Sequence, residues 1–112
     1  MAKFLIVSSY TPEGLKGLVK DSGSGRRAAF ETAIKGLGGK LEAMYFAFGK
    51  HDTVSLLDLP DNVSAAALVL AVNASGMLQT QTTPLLTPEE VDEAVKKTVK
   101  YRAPGASGAR RG

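Results

Sequence analysis

The only histidine of the chain, His51, stands beside Asp52 and six residues after Tyr45. A carboxylate next to an imidazole can orient the ring and raise its basicity, giving a general base. A phenol nearby adds a hydrogen-bond donor. His51, Asp52 and Tyr45 are therefore the candidate catalytic residues. Adjacency in sequence is not contact, since neighbours along a strand point to opposite faces. The competing structural reading is that Gly49 supplies a positive φ in a turn and Asp52 accepts hydrogen bonds from turn amides. Other chemistries are poorly supplied. With one His and no Cys, a Cys/His zinc site within one chain is excluded. The reading is thus of no metal and no cofactor, and a His51 site shared across subunits with Asp52, Asp58 or Glu42 is the one arrangement left open. Ser8, Ser9 and Ser55 fall on strand-like runs without a Gly-x-Ser-x-Gly elbow, which argues against an acyl-transfer triad.

Two further groups suit binding better than catalysis. Ser22-Gly23-Ser24-Gly25-Arg26-Arg27 is a small, glycine-rich stretch feeding a helix N-terminus. Its amides and the Arg26 and Arg27 guanidinium groups can hold an anion, although the spacing is not that of a phosphate-binding P-loop. Tyr10, Tyr45, Met44, Phe46 and Phe48 can line an apolar cavity, either between sheet and helices or between two sheets; plain core or dimer interface is the competing reading.

These residues need elements to position them. Lys3–Ser9 is a β-rich apolar run and reads as a first strand. Thr11 can cap a helix whose first residue is Pro12, with Glu13 at the positive end of its dipole. Asp21–Gly25 breaks that helix and a second part runs to Leu37, where Gly38-Gly39 ends it. Leu41–Phe48 and Thr53–Leu59 then form two strands joined by the turn Gly49–Asp52. In the first of them, alternation groups Leu41, Ala43, Tyr45 and Ala47 against Glu42, Met44, Phe46 and Phe48. Pro60 ends the second. Asp61-Asn62 precedes a helix, Val63 to about Ser75, whose apolar residues lie all round, which predicts burial on most sides. Met77–Thr83 is a polar, Thr-rich strand suited to a partly exposed sheet edge or a wet cavity. Thr87-Pro88-Glu89-Glu90 starts a terminal helix running to about Lys100.

The order β-α-β-β-α-β, with a broken first helix and an extra C-terminal helix, is the ferredoxin-like pattern: an α+β fold whose helices cover one face of an antiparallel sheet. The first strand is apolar on both sides, Phe4 and Ile6 against Leu5 and Val7. One helical layer covers only one of them, so the pattern predicts self-association.

At 112 residues with an ordinary apolar content the chain reads as one globular domain, residues 1–102, followed by a flexible basic tail, 103–112. The net charge of +3 falls to about +1 without the tail's Arg110 and Arg111. A basic face with interleaved aromatics is lacking, so no nucleic acid is expected as a partner. No apolar run reaches the length of a membrane span, so no membrane is expected either. Met1-Ala2-Lys3-Phe4 lacks signal-peptide architecture and cysteine is absent, which fits the cytoplasm.

Ser9–Gly14, Arg26-Arg27, Gly38–Glu42, the turn Gly49-Lys50-His51-Asp52 and Thr83–Glu90 together resemble the GYD-domain family of small bacterial and archaeal proteins, over about Lys3 to Arg102. The resemblance implies a dimeric α+β barrel, in which two sheets pack face to face, and so a homodimer or higher homo-oligomer. It implies no particular activity. Of the signature, Gly49 and Asp52 match, while His51 replaces the tyrosine and Lys50 intervenes. Three functions follow in order: a non-catalytic assembly or module for a small hydrophobic or anionic ligand; a cofactor-less oxygenase- or isomerase-like enzyme with a site near residues 45–52; and a ligand-sensing regulator, which ranks last because no helix-turn-helix segment accompanies it.

Overall fold

The computed structural model describes residues 1–106. Its elements are β1 (Ala2–Tyr10), α1 (Pro12–Gly36), β2 (Lys40–Phe46), β3 (Thr53–Leu59), α2 (Asn62–Ala74), β4 (Leu78–Leu85) and α3 (Pro88–Lys96). The fold is α+β and ferredoxin-like with the extra C-terminal helix. The four strands form one antiparallel sheet in the order β2-β3-β1-β4. Of the basic tail, residues 107–112 lie outside the described part.

Local chemistry accounts for the helix boundaries. The Thr11 hydroxyl accepts from the Gly14 amide at 3.1 Å and Pro12 opens α1. At the other end Gly38 takes φ +81°, and the amides of Gly38 and Gly39 donate to the carbonyls of Lys35 and Ile34, a Schellman ending. The expected break is a kink at Ser22, whose φ of +71° is unusual for a residue with a Cβ. The Ser22 hydroxyl accepts from the Gly25 amide at 3.2 Å and so caps the second half of α1. The α3 capping box forms as expected between Thr87 and Glu90, but α3 ends at Lys96, short of the expected Lys100.

The helix-covered face of the sheet carries the core. Phe4 and Ile6 of β1, Leu57 and Leu59 of β3, Ile34 of α1, and Ala65 and Leu68 of α2 are buried there together. On the other face, Leu5, Val7, Val54 and Leu56 are only half-buried, and Tyr45 is 70% exposed. Lys3 closes one end of this outer face. Its ammonium binds Glu42 and lies 2.9 Å from Asp58; these two carboxylates, Glu42 first, hold its pKa above the usual lysine value.

Three expectations are corrected. β2 has a bulge between Leu41 and Ala43. An extra residue reverses the alternation, so Leu41 shares the helix-covered face with Met44 and Phe46, while Ala43 and Tyr45 lie on the outer face. β2 also ends at Phe46, leaving Phe48 in the loop. Lastly, α2 is not buried on most sides: only Ala65 and Leu68 are buried, and Val63 and Leu70 are 77% and 70% exposed. One sheet can cover only one stripe of a helix. The expected edge position of β4 holds, and its Pro84 is tolerated there because an edge strand leaves one row of amides unpaired.

Candidate functional site

The sequence of the helix-covered face changes character halfway along the sheet. Phe4 and Ile6 are followed on β1 by Ser8, and Leu57 and Leu59 are preceded on β3 by Thr53 and Ser55. Register places Ser8 opposite Thr53 on one side and Thr80 on the other. Four hydroxyls thus occupy adjacent positions at one end of the face. Here the sheet and the helices do not close completely. They leave a cavity of about 40 Å³ floored by Ser8, Thr53, Ser55 and Thr80, walled by Phe30, Met44, Val72 and Leu78, with Tyr10 and Arg26 at its edge.

The buried hydroxyls are the unusual part. Ser8, Thr53 and Ser55 are 5%, 3% and 2% exposed, and among the described residues none of their side chains makes a hydrogen bond within the chain. Thr80 differs, since its hydroxyl and amide both donate to Asn73 Oδ1 of α2. The hydroxyls of Ser8, Thr53 and Ser55 line the cavity, where a bound molecule or water can reach them; the one buried side-chain oxygen without a partner among the described residues is Thr82 Oγ1, on β4 opposite Ile6.

Arg26 is carried by the second half of α1, just past the kink. Its guanidinium lies 3.4 Å from the Asp21 carboxylate, and its side chain is 32% exposed. On the outer side of Arg26 lies a second hollow of about 300 Å³, bounded by Gly14, Gly17, Leu18, Asp21 and Met77, which shares Tyr10, Arg26 and Leu78 with the inner cavity.

Among the ligand candidates, the structure places Tyr10, Arg26 and Met44 around this cavity. Phe46 lies beside Gly23 at the kink and stacks on Phe48, ring centres 5.9 Å apart. Phe48 itself is 59% exposed. Arg27 is exposed and lines neither hollow.

The candidate catalytic residues are arranged differently from a dyad. Asp52 Oδ2 accepts from the Tyr10 amide at 2.8 Å, and the Asp52 amide donates to the Ser8 carbonyl at 2.8 Å. The carboxylate thereby extends the β1–β3 ladder past its last pair instead of orienting His51. The turn chemistry expected at Gly49 is also displaced, because the positive φ belongs to Phe48, at +52°. His51 lines a polar groove that reaches from the outer face round the β4 edge, with Ser9, Asn73, Gln79, Thr80 and Gln81. Tyr45 lies on the outer face as well, and among the described residues no hydrogen bond links Tyr45, His51 and Asp52. No group of three or more metal-ligating side chains occurs among the described residues.

Sequence reasoning did not find Thr53, Ser55, Phe30, Val72, Leu78 or Thr80 as cavity residues. A signal existed in the alternation of Thr53-x-Ser55-x-Leu57-x-Leu59, which is hydroxylic at one end and apolar at the other. Reading it as a site requires knowing that Ser8 and Thr80 are its neighbours.

The model of the GYD domain matches residues 4–95. No curated protein matches the chain.

Proposed function

The chain belongs to the GYD-domain family, and on that premise we propose that it is a homo-oligomeric, non-catalytic module that binds a small ligand in each subunit. The observation that carries the reading is the open outer face of the sheet. Leu5, Val7, Val54, Leu56 and Tyr45 present a contiguous apolar surface that no element among the described residues covers. A surface of this kind on a small protein calls for a partner. A second copy is the simplest one, placing two sheets face to face in the barrel arrangement that the family resemblance implies.

Two more apolar surfaces support assembly beyond one face. α3 is exposed along its whole length, with Val91 and Val95 on one stripe, and α2 presents Val63 and Leu70 outward. A dimer through the sheets leaves both available for higher assembly. The cytoplasm is the proposed location, in keeping with the lack of cysteine; no helix among the described residues is long and apolar enough to cross a membrane. Light scattering at micromolar concentration tests assembly. A mass of at least twice 11.7 kDa is expected, and Leu56→Asp is expected to lower it; a monodisperse monomer overturns the assembly reading.

One observation favours an enzyme as the second reading: His51, the only imidazole, lines a polar groove beside Ser9, Gln79 and Gln81. Face-to-face packing would enclose that groove. Against it, Asp52 is committed to the Tyr10 amide. Turnover that is abolished by His51→Gln, in a variant of unchanged mass, would replace the first reading with the second.

A further inference from the structure

The inner cavity and the outer hollow meet at three shared residues, Tyr10, Arg26 and Leu78. Their chemistry is graded from inside to outside. The floor supplies neutral hydroxyls, three of them on residues nine-tenths buried or more (Ser8, Thr53 and Ser55). The walls are apolar. The junction holds Arg26, which among the described residues is the only charged one lining the inner cavity.

We propose that the two hollows form one binding site for a small organic carboxylate that carries a second oxygen function, and that Arg26 anchors the carboxylate at the junction. This deepens the ligand-binding reading above and rests on it. The anion follows from Arg26: a guanidinium recognises a carboxylate in a planar, two-bonded geometry. An amine is disfavoured because, among the described residues, no acidic side chain lines the inner cavity, and Asp21 of the outer hollow is already paired with Arg26. The second oxygen follows from the floor, where Ser8, Thr53 and Ser55 have donors to offer at the cavity surface. A carbonyl or hydroxyl oxygen placed there completes them, whereas a purely aliphatic tail leaves them unsatisfied. Size follows from the volume. About 40 Å³ holds only a few heavy atoms, so the rest of the ligand occupies the outer hollow of about 300 Å³. In the free protein Asp21 takes the place of the carboxylate, 3.4 Å from Arg26. Binding exchanges that exposed ion pair for the ligand.

The kink at Ser22 makes this geometry available. An unbroken α1 would carry Asp21 and Arg26 on a fixed helical spacing. The positive φ at Ser22 interrupts the helix between them and starts a new, capped segment from which Arg26 projects to the cavity mouth.

The test is an amide-resolved NMR titration of the full chain with four probes of matched length: 2-oxopentanoate, pentanoate, 2-pentanone and pentylamine. 2-Oxopentanoate is expected to bind most tightly and to shift the amides of Ser8, Thr53 and Ser55. Pentanoate is expected to bind about two- to tenfold more weakly, the loss of one neutral hydrogen bond, and 2-pentanone about tenfold or more weakly, the loss of the charged one. Arg26→Gln is expected to reduce 2-oxopentanoate to the level of 2-pentanone. Arg26→Lys is expected to restore part of that loss, and Asp21→Asn to tighten binding by up to about fivefold by removing the competing partner. Equal binding of 2-pentanone or pentylamine, or unchanged binding in Arg26→Gln, overturns the carboxylate assignment and leaves the ligand-binding reading standing. Shifts confined to residues outside the two hollows overturn the site. If none of the four probes binds at millimolar concentration, the site and the ligand-binding reading both fall, while the mass of the oligomer still decides assembly separately.

Discussion

Two halves of one sheet face are buried to a similar degree and built from opposite chemistry. At one end Phe4, Ile6, Leu57 and Leu59 meet Ile34 and Leu68 and close completely. At the other end Ser8, Thr53 and Ser55 are nearly as buried, yet their hydroxyls line a hollow that remains above them. The apolar end obeys the rule that buried side chains should be dry and packed, although the Thr82 hydroxyl opposite Ile6 is buried there without a partner. The hydroxyl end departs from it. The comparison teaches that one sheet face can do two things: the first region holds the fold together, and the second turns hydroxyls towards a hollow, as the proposed ligand site requires.

The largest expected effect breaks the apolar end. Leu57→Ala removes a side chain with no exposed surface and is expected to destabilise the protein by about 2–5 kcal/mol, read from chemical denaturation. An effect below about 1 kcal/mol would show that this end is not the packed anchor described above.

Next comes the frame of the hydroxyl end. A Cβ at Gly14 would lie 1.9 Å from the Met77 carbonyl oxygen. The Thr11 amide and hydroxyl bind the same turn, at Met77 and Gly76. Gly14→Ala should therefore push α1 from the α2–β4 turn and cost about 2–4 kcal/mol, in the range of severe overpacking. Wild-type melting behaviour in this variant would mean that the corner is not held as described.

The third prediction sharpens the contrast by changing the sign. Thr53→Val keeps the shape and deletes the hydroxyl of a buried residue that lines the cavity. It is expected to stabilise the fold by about 1 kcal/mol, since the desolvation cost of that group disappears, while weakening binding of 2-oxopentanoate. Destabilisation by Thr53→Val would mean that the hydroxyl is satisfied in the free protein and that the two ends do not differ in this respect.

The smallest effect lies at the start of α2, the helix that covers the apolar end. The Asp61 carboxylate accepts from the Ser64 amide at 2.8 Å, which holds its pKa below the usual value of 3.8. A depressed folded-state pKa contributes stability that is present above pH 3.8 and is lost as the pH falls through the lower, folded value. Asp61→Ala should remove this acid-sensitive share, and the stability difference between variant and wild type should shrink below about pH 4. A difference that grows towards acid pH would contradict the capping role.

Much of the fold was legible because its signals are local. Thr11-Pro12-Glu13, Gly38-Gly39, Asp61-Asn62 and Thr87-Pro88-Glu89-Glu90 mark helix ends by backbone hydrogen bonding that involves only near neighbours. The kink near Ser22 was also foreshadowed, since Ser22–Gly25 is too poor in helix-favouring residues to carry a helix through. The doubled apolar faces of β1 were readable from alternation alone. What the sequence by itself determined, then, was the order of elements and their α+β class, with one sheet face in need of cover.

Only the tertiary structure decided the rest. The bulge at Glu42 inverted the faces assigned to the start of β2, because alternation cannot reveal an extra residue until the partner strand is in register. Asp52 proved to serve the Tyr10 amide, 42 positions away, and adjacency to His51 had suggested another role. The hydroxyl floor came into being only when β1 was placed between β3 and β4, bringing Ser8, Thr53 and Thr80 side by side from three separate stretches of chain. Boundaries are set by bonds between near neighbours, and a one-dimensional pattern records those. A site is set by register and strand order, which arise when distant segments choose one another in order to bury their apolar faces.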